Sequence, residues 1–239
     1  MLGFALSVGC KDKPATETTT APRVAPSAVL LLGDSLTAGS RAHPGFRVRL
    51  AEALLAEHPS LKFVGSEAGF PDDHEVSLGD SALRHEGHWG WRADESLAML
   101  PRWLQQYRAD VALVMLGTND CFQGQAPEAT LQELRDIGRA LRRANPRLSL
   151  VYSRLIPAKV GSPAVGPCLT LVNTGLPALV RDLDSAAAHA WLADPTVDFD
   201  ASRDTYDGVH PNDNGGAKMA RALETVLQRV LDAQGHPAP

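Results

Sequence analysis

Five consecutive apolar residues, Ala28-Val29-Leu30-Leu31-Leu32, run straight into Gly33-Asp34-Ser35-Leu36-Thr37. An apolar run without polar alternation reads as a strand buried on both faces, which is the habit of parallel sheets. The pattern recurs down the chain. Further strands are expected at 61–64, 111–116, 148–152 and 196–199. Between them, apolar residues at helical spacing predict helices over 48–58, 96–107, 129–144, 169–190 and 216–231. In the fourth, Gly175 and Pro177 are expected to interrupt the helix or delay its start. Residues 67–94 and 157–167 read as loops. Strands alternating with helices predict a three-layer α/β/α sandwich around a mainly parallel central sheet. The 239 residues suffice for one such domain, assigned to 28–235, with a short disordered tail at 236–239.

In a parallel sheet every strand C-terminus lies on one edge, and open α/β folds place their sites there. Three polar, glycine-rich turns follow expected strands: Gly33–Thr37, the stretch reaching Gly90, and Gly117-Thr118-Asn119-Asp120. A fourth segment, Asp207-Gly208-Val209-His210, follows the last strand. Acyl transfer needs a nucleophile, a base, a group to orient the base, and donors for the developing oxyanion. Ser35, His210 and Asp207 fit the first three. The Ser35 and Gly90 N–H groups and the Asn119 amide fit the fourth. Each residue also has a plain reading: an ordinary turn at Gly33-Asp34-Ser35, a helix cap at Asn119-Asp120, a surface turn at Asp207-Gly208. Their order and their placement at strand ends favour the catalytic reading.

These four blocks resemble those of the SGNH/GDSL hydrolases, and the resemblance extends over most of 28–231. It implies a flavodoxin-like sheet, a serine nucleophile, and no metal or cofactor. The segment His85-Glu86-Gly87-His88-Trp89-Gly90 is similar to the second block of carbohydrate esterase family 3, which includes acetylxylan esterases. So are Lys62-Phe63-Val64-Gly65-Ser66 and Asp207-Gly208-Val209-His210-Pro211-Asn212. This implies hydrolysis of O-acyl esters of carbohydrate, foremost O-acetyl, through an acyl-enzyme. Asp34, His88, Trp89 and Trp91 are then candidate substrate contacts, although Trp89 and Trp91 read equally well as loop core.

Three other functions are weighed against this. A lysophospholipase, thioesterase or broad short-chain esterase would use the same machinery on another ester. A metal-dependent phosphoesterase would use Asp34, Asn119, Asp120 and His210 as hard ligands. A sugar-binding protein without catalysis would not need Ser35. The formal net charge of −5 argues against a nucleic-acid partner.

Residues 1–27 differ in character from the rest. An apolar stretch, Met1 to Val8, is followed by Gly9-Cys10 and a Pro- and Thr-rich run. It resembles a bacterial lipoprotein signal with Cys10 as the lipidated residue and 11–26 as a tether. The segment departs from such signals in lacking a positive charge before its apolar run and in having Ser7 three residues before the cysteine. A frayed terminus is the other reading. Lipidation at Cys10 would be the one route to a membrane, and the chain would act outside the cytoplasm. Cys121 and Cys168 are either two unrelated buried thiols or, in an exported protein, a disulfide between two loops of the site.

Overall fold

The computed structural model describes residues 28–71 and 83–234. The signal-like segment with Cys10, and the tail at 236–239, lie outside the described residues. Six strands and eight helices follow one another as β1 (Ala28–Gly33), α1 (Ser35–Ala38), α2 (Arg47–Glu57), β2 (Lys62–Val64), β3 (Glu86–Gly87), α3 (Ala93–Trp103), β4 (Val111–Met115), α4 (Thr118–Phe122), α5 (Pro127–Ala144), β5 (Ser149–Ser153), α6 (Val165–Leu183), β6 (Ala190–Ala193), α7 (Ala201–Asp204) and α8 (Asp213–Ala233). The sheet order is β2-β1-β4-β5-β6, all parallel, and the two-residue β3 pairs with the end of β1. Leaving β3 aside, this is the 2-1-3-4-5 order of a flavodoxin-like sheet, whose strand order reverses at β1.

Burial follows that order. Every residue of β1, β4 and β5 is buried, whereas β2 and β6, at the edges, are partly open. Helix α2 packs on α8, while α5 packs on both α3 and α6, giving a helical layer on each side of the sheet. The three-layer parallel architecture expected from the apolar runs is the one observed.

Two elements depart from expectation. The last strand is Ala190–Ala193, not 196–199. The alanine run 186–188 looks helical, but α6 stops at Leu183, and Asp184 instead accepts the Ala190 N–H at 2.9 Å and the His189 ring at 3.1 Å. These bonds turn the chain into the sheet. Helix α6 also starts earlier, at Val165, and passes through Gly175 and Pro177 without a break. Pro177 has no N–H to offer the carbonyl of Asn173 one turn back. The Arg154 guanidinium donates to that carbonyl at 2.8 Å, so no acceptor is stranded. Gly175 lets α5 approach, since a Cβ there would lie 2.3 Å from Leu131 Cδ1.

The expected loop at 67–94 is also partly ordered by pairing. Glu67 and His85 form an antiparallel bridge, and β3 lies beside Leu32 and Gly33 of β1. This short strand sets the turn that follows it next to the Ser35 turn.

Candidate active site

Strand β1 delivers Ser35 at its C-terminal edge, in the turn that opens α1. The Asp34 carboxylate accepts the Leu36 N–H at 2.9 Å and so shapes that turn. Ser35 Oγ lies 2.9 Å from His210 Nε2, and His210 Nδ1 lies 2.7 Å from Asp207 Oδ2. A carboxylate can only accept, so Nδ1 carries the proton. Nε2 is then left as an acceptor for the Ser35 hydroxyl. The structure thus joins Ser35, His210 and Asp207 in one proton-transfer chain across 175 residues of sequence.

Local bonding fixes the base. Asp207 Oδ1 accepts the N–H groups of Val209 and His210 at 3.0 and 2.8 Å. Partial burial acts to raise the Asp207 carboxyl; those two N–H groups and the His210 ring outweigh it and hold the group below the usual carboxylate range. The loop as a whole hangs on Asp204 and Asn212. Buried Asp204 accepts the Lys218 ammonium at 2.7 Å, and the Asn212 amide donates to the carbonyls of Arg203 and Thr205 while its Oδ1 caps α8.

The oxyanion candidates converge on the same edge. Asn119 donates one amide hydrogen to the Trp91 carbonyl at 3.0 Å, leaving the second free to face a ligand. Gly90 has φ +80°, a conformation suited to glycine. Its carbonyl accepts the Gln123 amide at 3.0 Å. Among the described residues the backbone N–H groups of Ser35 and Gly90 have no protein acceptor.

Ser35 opens onto a small pocket walled by Trp89, Tyr206, His43, Ser40 and His210. The rings lie nearly parallel: Trp89 to His210 at 5.2 Å, Tyr206 to His210 at 5.8 Å, and His43 to Tyr206 at 4.0 Å. Trp89 is 46% exposed and Tyr206 is 42% exposed. Trp89 is anchored by its indole N–H on the Gly39 carbonyl.

Three of the candidate substrate contacts lie elsewhere. Asp34 is fully buried beneath the Ser35 turn and cannot meet a substrate. His88 bonds Glu86 through Nε2, is stacked on Trp91 and Trp103, and does not line the pocket at Ser35. Trp91 packs against the core as one member of that stack. The residues of the metal reading do not gather either: Asp34 and Asp120 are buried, and among the described residues no three His, Cys, Asp or Glu side chains form a metal-binding group. Cys121 and Cys168 are joined in a disulfide that ties α4, which carries Asn119, to α6.

Several residues hold the site in ways the sequence does not show. Arg47 is fully buried and donates to four backbone carbonyls: Thr37 at 3.1 Å, Ala38 at 2.9 Å, Leu83 at 2.9 Å and Gly69 at 2.6 Å. Burial lowers its guanidinium to about 10, still charged at neutral pH. His85 is held neutral: burial first, then the Arg47 charge, lower it to about 3. Its ring accepts the Gly87 N–H and donates to the Gly69 carbonyl. Asp120 receives the Ala93 N–H and the Thr130 hydroxyl, pinning the starts of α3 and α5 to α4. In sequence, Arg47 looks like an ordinary helix end, while His85 and Asp120 stand in blocks already singled out whose buried partners are not visible.

Asp34 makes a pH prediction. Among the described residues its Oδ2 has no hydrogen-bond partner. Burial raises the carboxyl, the Leu36 N–H opposes this, the Asp120 charge adds to it, and the group ends at about 7. The folded chain therefore holds this proton more tightly than the unfolded chain. The stabilisation is full below about pH 3.8 and is lost as pH rises through 7. Asp34→Asn keeps the acceptor for Leu36 and removes the titration. Unfolding free energy should fall more steeply from pH 4 to 7 in the parent than in this variant. Parallel curves would refute the assignment.

With this geometry in hand, the comparisons are specific. The profile of the GDSL-like lipase/acylhydrolase family matches residues 31–218, a span that contains Ser35, Gly90, Asn119, Asp207 and His210. The chain belongs to this family. The GDSL hydrolase is similar to a multidomain esterase of Ruminococcus flavefaciens, 26% identical over 241 residues, covering 91% of this chain and 31% of that relative. It thus spans about a third of the relative's length. It is similar in structure to a carbohydrate esterase family 3 enzyme from Talaromyces cellulolyticus, with TM-score 0.74, 26% identity, and coverage of 87% of this chain and 99% of the other. The same values hold for an acetyl esterase mutant with an acetate ion. The domain is a carboxylic ester hydrolase.

Proposed function

We propose that this GDSL hydrolase removes O-acyl groups, foremost O-acetyl, from carbohydrate. The observation that carries the reading is the Ser35–His210–Asp207 chain opening onto a small pocket walled by aromatic rings. Ser35 Oγ attacks the ester carbonyl as His210 takes its proton. Asp207 keeps the imidazole in the required tautomer and stabilises the imidazolium that forms. The N–H groups of Ser35 and Gly90 and the Asn119 amide receive the oxyanion. His210 returns the proton to the departing sugar hydroxyl, leaving an acyl-serine. It then activates water, which releases the acid and restores Ser35.

The substrate reading is supported by the pocket. The confined space between Ser35, Trp89, Tyr206 and His43 leaves little room for a long acyl chain. Trp89 and Tyr206 offer exposed ring surface with polar edges beside the nucleophile, which suits a sugar ring. The neighbours described as acetyl and carbohydrate esterases point the same way. The Cys121–Cys168 disulfide supports action outside the cytoplasm, since such bonds persist in oxidising compartments. We place Cys10 as the anchoring residue of an exported form; mass measurement on native protein tests this, and an intact Met1 would reject it.

The deciding experiment is an activity panel of acetylated xylan, other acetylated glycans, p-nitrophenyl acetate and octanoate, and lysophospholipid. Acetyl esters should exceed octanoyl esters in kcat/KM by about tenfold or more, equivalent to at least roughly 1.4 kcal/mol in the transition state. A flat or inverted chain-length profile would remove the acetyl reading and leave the ester-hydrolase class standing.

A further inference from the structure

A second histidine–carboxylate pair lies behind the site. Glu86, in β3, is fully buried, and its carboxylate is saturated. Oε1 accepts the Ser66 N–H and the Tyr107 hydroxyl, the latter at 2.7 Å. Oε2 accepts the Ser66 hydroxyl and His88 Nε2–H, both at 2.8 Å. The His88 ring lies nearly parallel to Trp91 at 4.3 Å and to Trp103 at 4.9 Å. Its orientation is therefore fixed by a hydrogen bond at its edge and by rings against its faces.

The backbone of His88 continues the arrangement toward the reaction centre. Its N–H donates to the Gly33 carbonyl at 3.1 Å, at the end of β1, and its carbonyl accepts the Trp91 N–H at 3.3 Å. These two bonds close the turn 88–91 and hold it to the strand that carries Ser35. Within that turn sits Gly90, with its free N–H. The Trp91 carbonyl then receives the Asn119 amide at 3.0 Å. Two oxyanion donors from different elements, Gly90 in the turn after β3 and Asn119 in α4, thus take their position from a single turn, and that turn is anchored by His88 on Glu86.

We infer that Glu86 and His88 are positioning residues for the oxyanion hole. The inference rests on the reading of Gly90 and Asn119 given above. A preorganised donor acts only if it points at the oxyanion before the charge develops. A carboxylate with four donors holds His88 rigidly, and His88 transmits that rigidity to the turn. Exchange of Glu86 for glutamine turns one acceptor oxygen into a donor facing other donors. The turn is then free to rotate by the fraction of an ångström that misaims both N–H groups.

The test is a double-mutant cycle between Glu86→Gln and Asn119→Ala, read as kcat and KM on p-nitrophenyl acetate. Glu86→Gln should lower kcat by about ten- to a hundredfold, short of the 10²–10³ that follows outright loss of a donor. KM should move by less than about twofold, because ground-state binding does not use these donors. In the Asn119→Ala background the same exchange should cost less than about threefold, because part of what it misaligns is already gone. A merely structural role would give one factor in both backgrounds, or a change in KM alone, and either result overturns the inference. If Glu86→Gln fails to fold, His88→Phe carries the test, since it keeps a flat ring beside the tryptophans and removes only the bond to Glu86. Should Asn119→Ala leave kcat untouched, the oxyanion assignment itself falls and takes this inference with it. A drop in kcat for Asn119→Ala with none for either Glu86→Gln or His88→Phe would reject the positioning role alone.

Discussion

Ser35→Ala should abolish ester hydrolysis, lowering kcat by roughly 10⁴-fold or more while leaving the protein folded. The hydroxyl makes a single contact of consequence, the 2.9 Å bond to His210 Nε2. The base is held from the other side by Asp207 and stacked between or beside aromatic rings, so it does not depend on Ser35 for its place. Asp34 keeps its bond to the Leu36 N–H, and the α1 turn survives the exchange. The expected picture is an unchanged circular dichroism spectrum and melting curve, near-zero turnover, and no burst of alcohol release. Residual turnover within tenfold of the parent would mean that another group makes the attack, and the acyl-enzyme route would be wrong.

Arg47→Met should give the largest loss of stability, at least about 4 kcal/mol. The methionine fills part of the space but donates nothing. Four buried carbonyls, those of Thr37, Ala38, Gly69 and Leu83, lose their donor at once. Each buried acceptor left unpaired costs about 1–3 kcal/mol, reduced where water enters. The contact of the guanidinium with the Phe70 ring, 5.1 Å from its centroid, is lost as well. The denaturant midpoint measures this directly, with the slope checked for two-state behaviour. A shift worth less than about 1 kcal/mol would show that the carbonyls find other partners. Thr37 and Ala38 directly follow the nucleophile turn, so surviving folded protein should also turn over more slowly than the parent.

The contrast between Ser35 and Arg47 shows what the sequence makes legible. Ser35 and Asn119 stand directly after β1 and β4, and Asp207 and His210 in the loop after α7, all where glycine and polar residues interrupt apolar or helical runs. That interruption is visible without coordinates. Arg47 sits one residue before an expected helix and looks like any charged helical end. Nothing in one dimension says that its guanidinium turns inward to meet carbonyls from segments nine to thirty-six residues away. Glu86 stands in a block the sequence does single out, but its burial does not show there: only the meeting of Ser66, Tyr107 and His88 makes it tolerable. The strand shifted to Ala190–Ala193 was masked by an alanine run whose helical preference is overruled by Asp184. Pro177 misleads because its remedy, Arg154, comes from another element. Local patterns reveal where backbone regularity stops; they do not reveal which distant groups satisfy what is left unpaired.

The distance along the chain between nucleophile and base has a consequence for biogenesis. During synthesis Ser35 emerges first, and His210 follows 175 residues later. By then β4, β5 and β6 are available to join β1, and of the described elements α8 is still to come. A nascent or truncated chain thus carries a bare serine without the imidazole that activates it. Hydrolytic power therefore requires a chain synthesised at least through His210, since any shorter chain lacks the base that makes Ser35 a nucleophile.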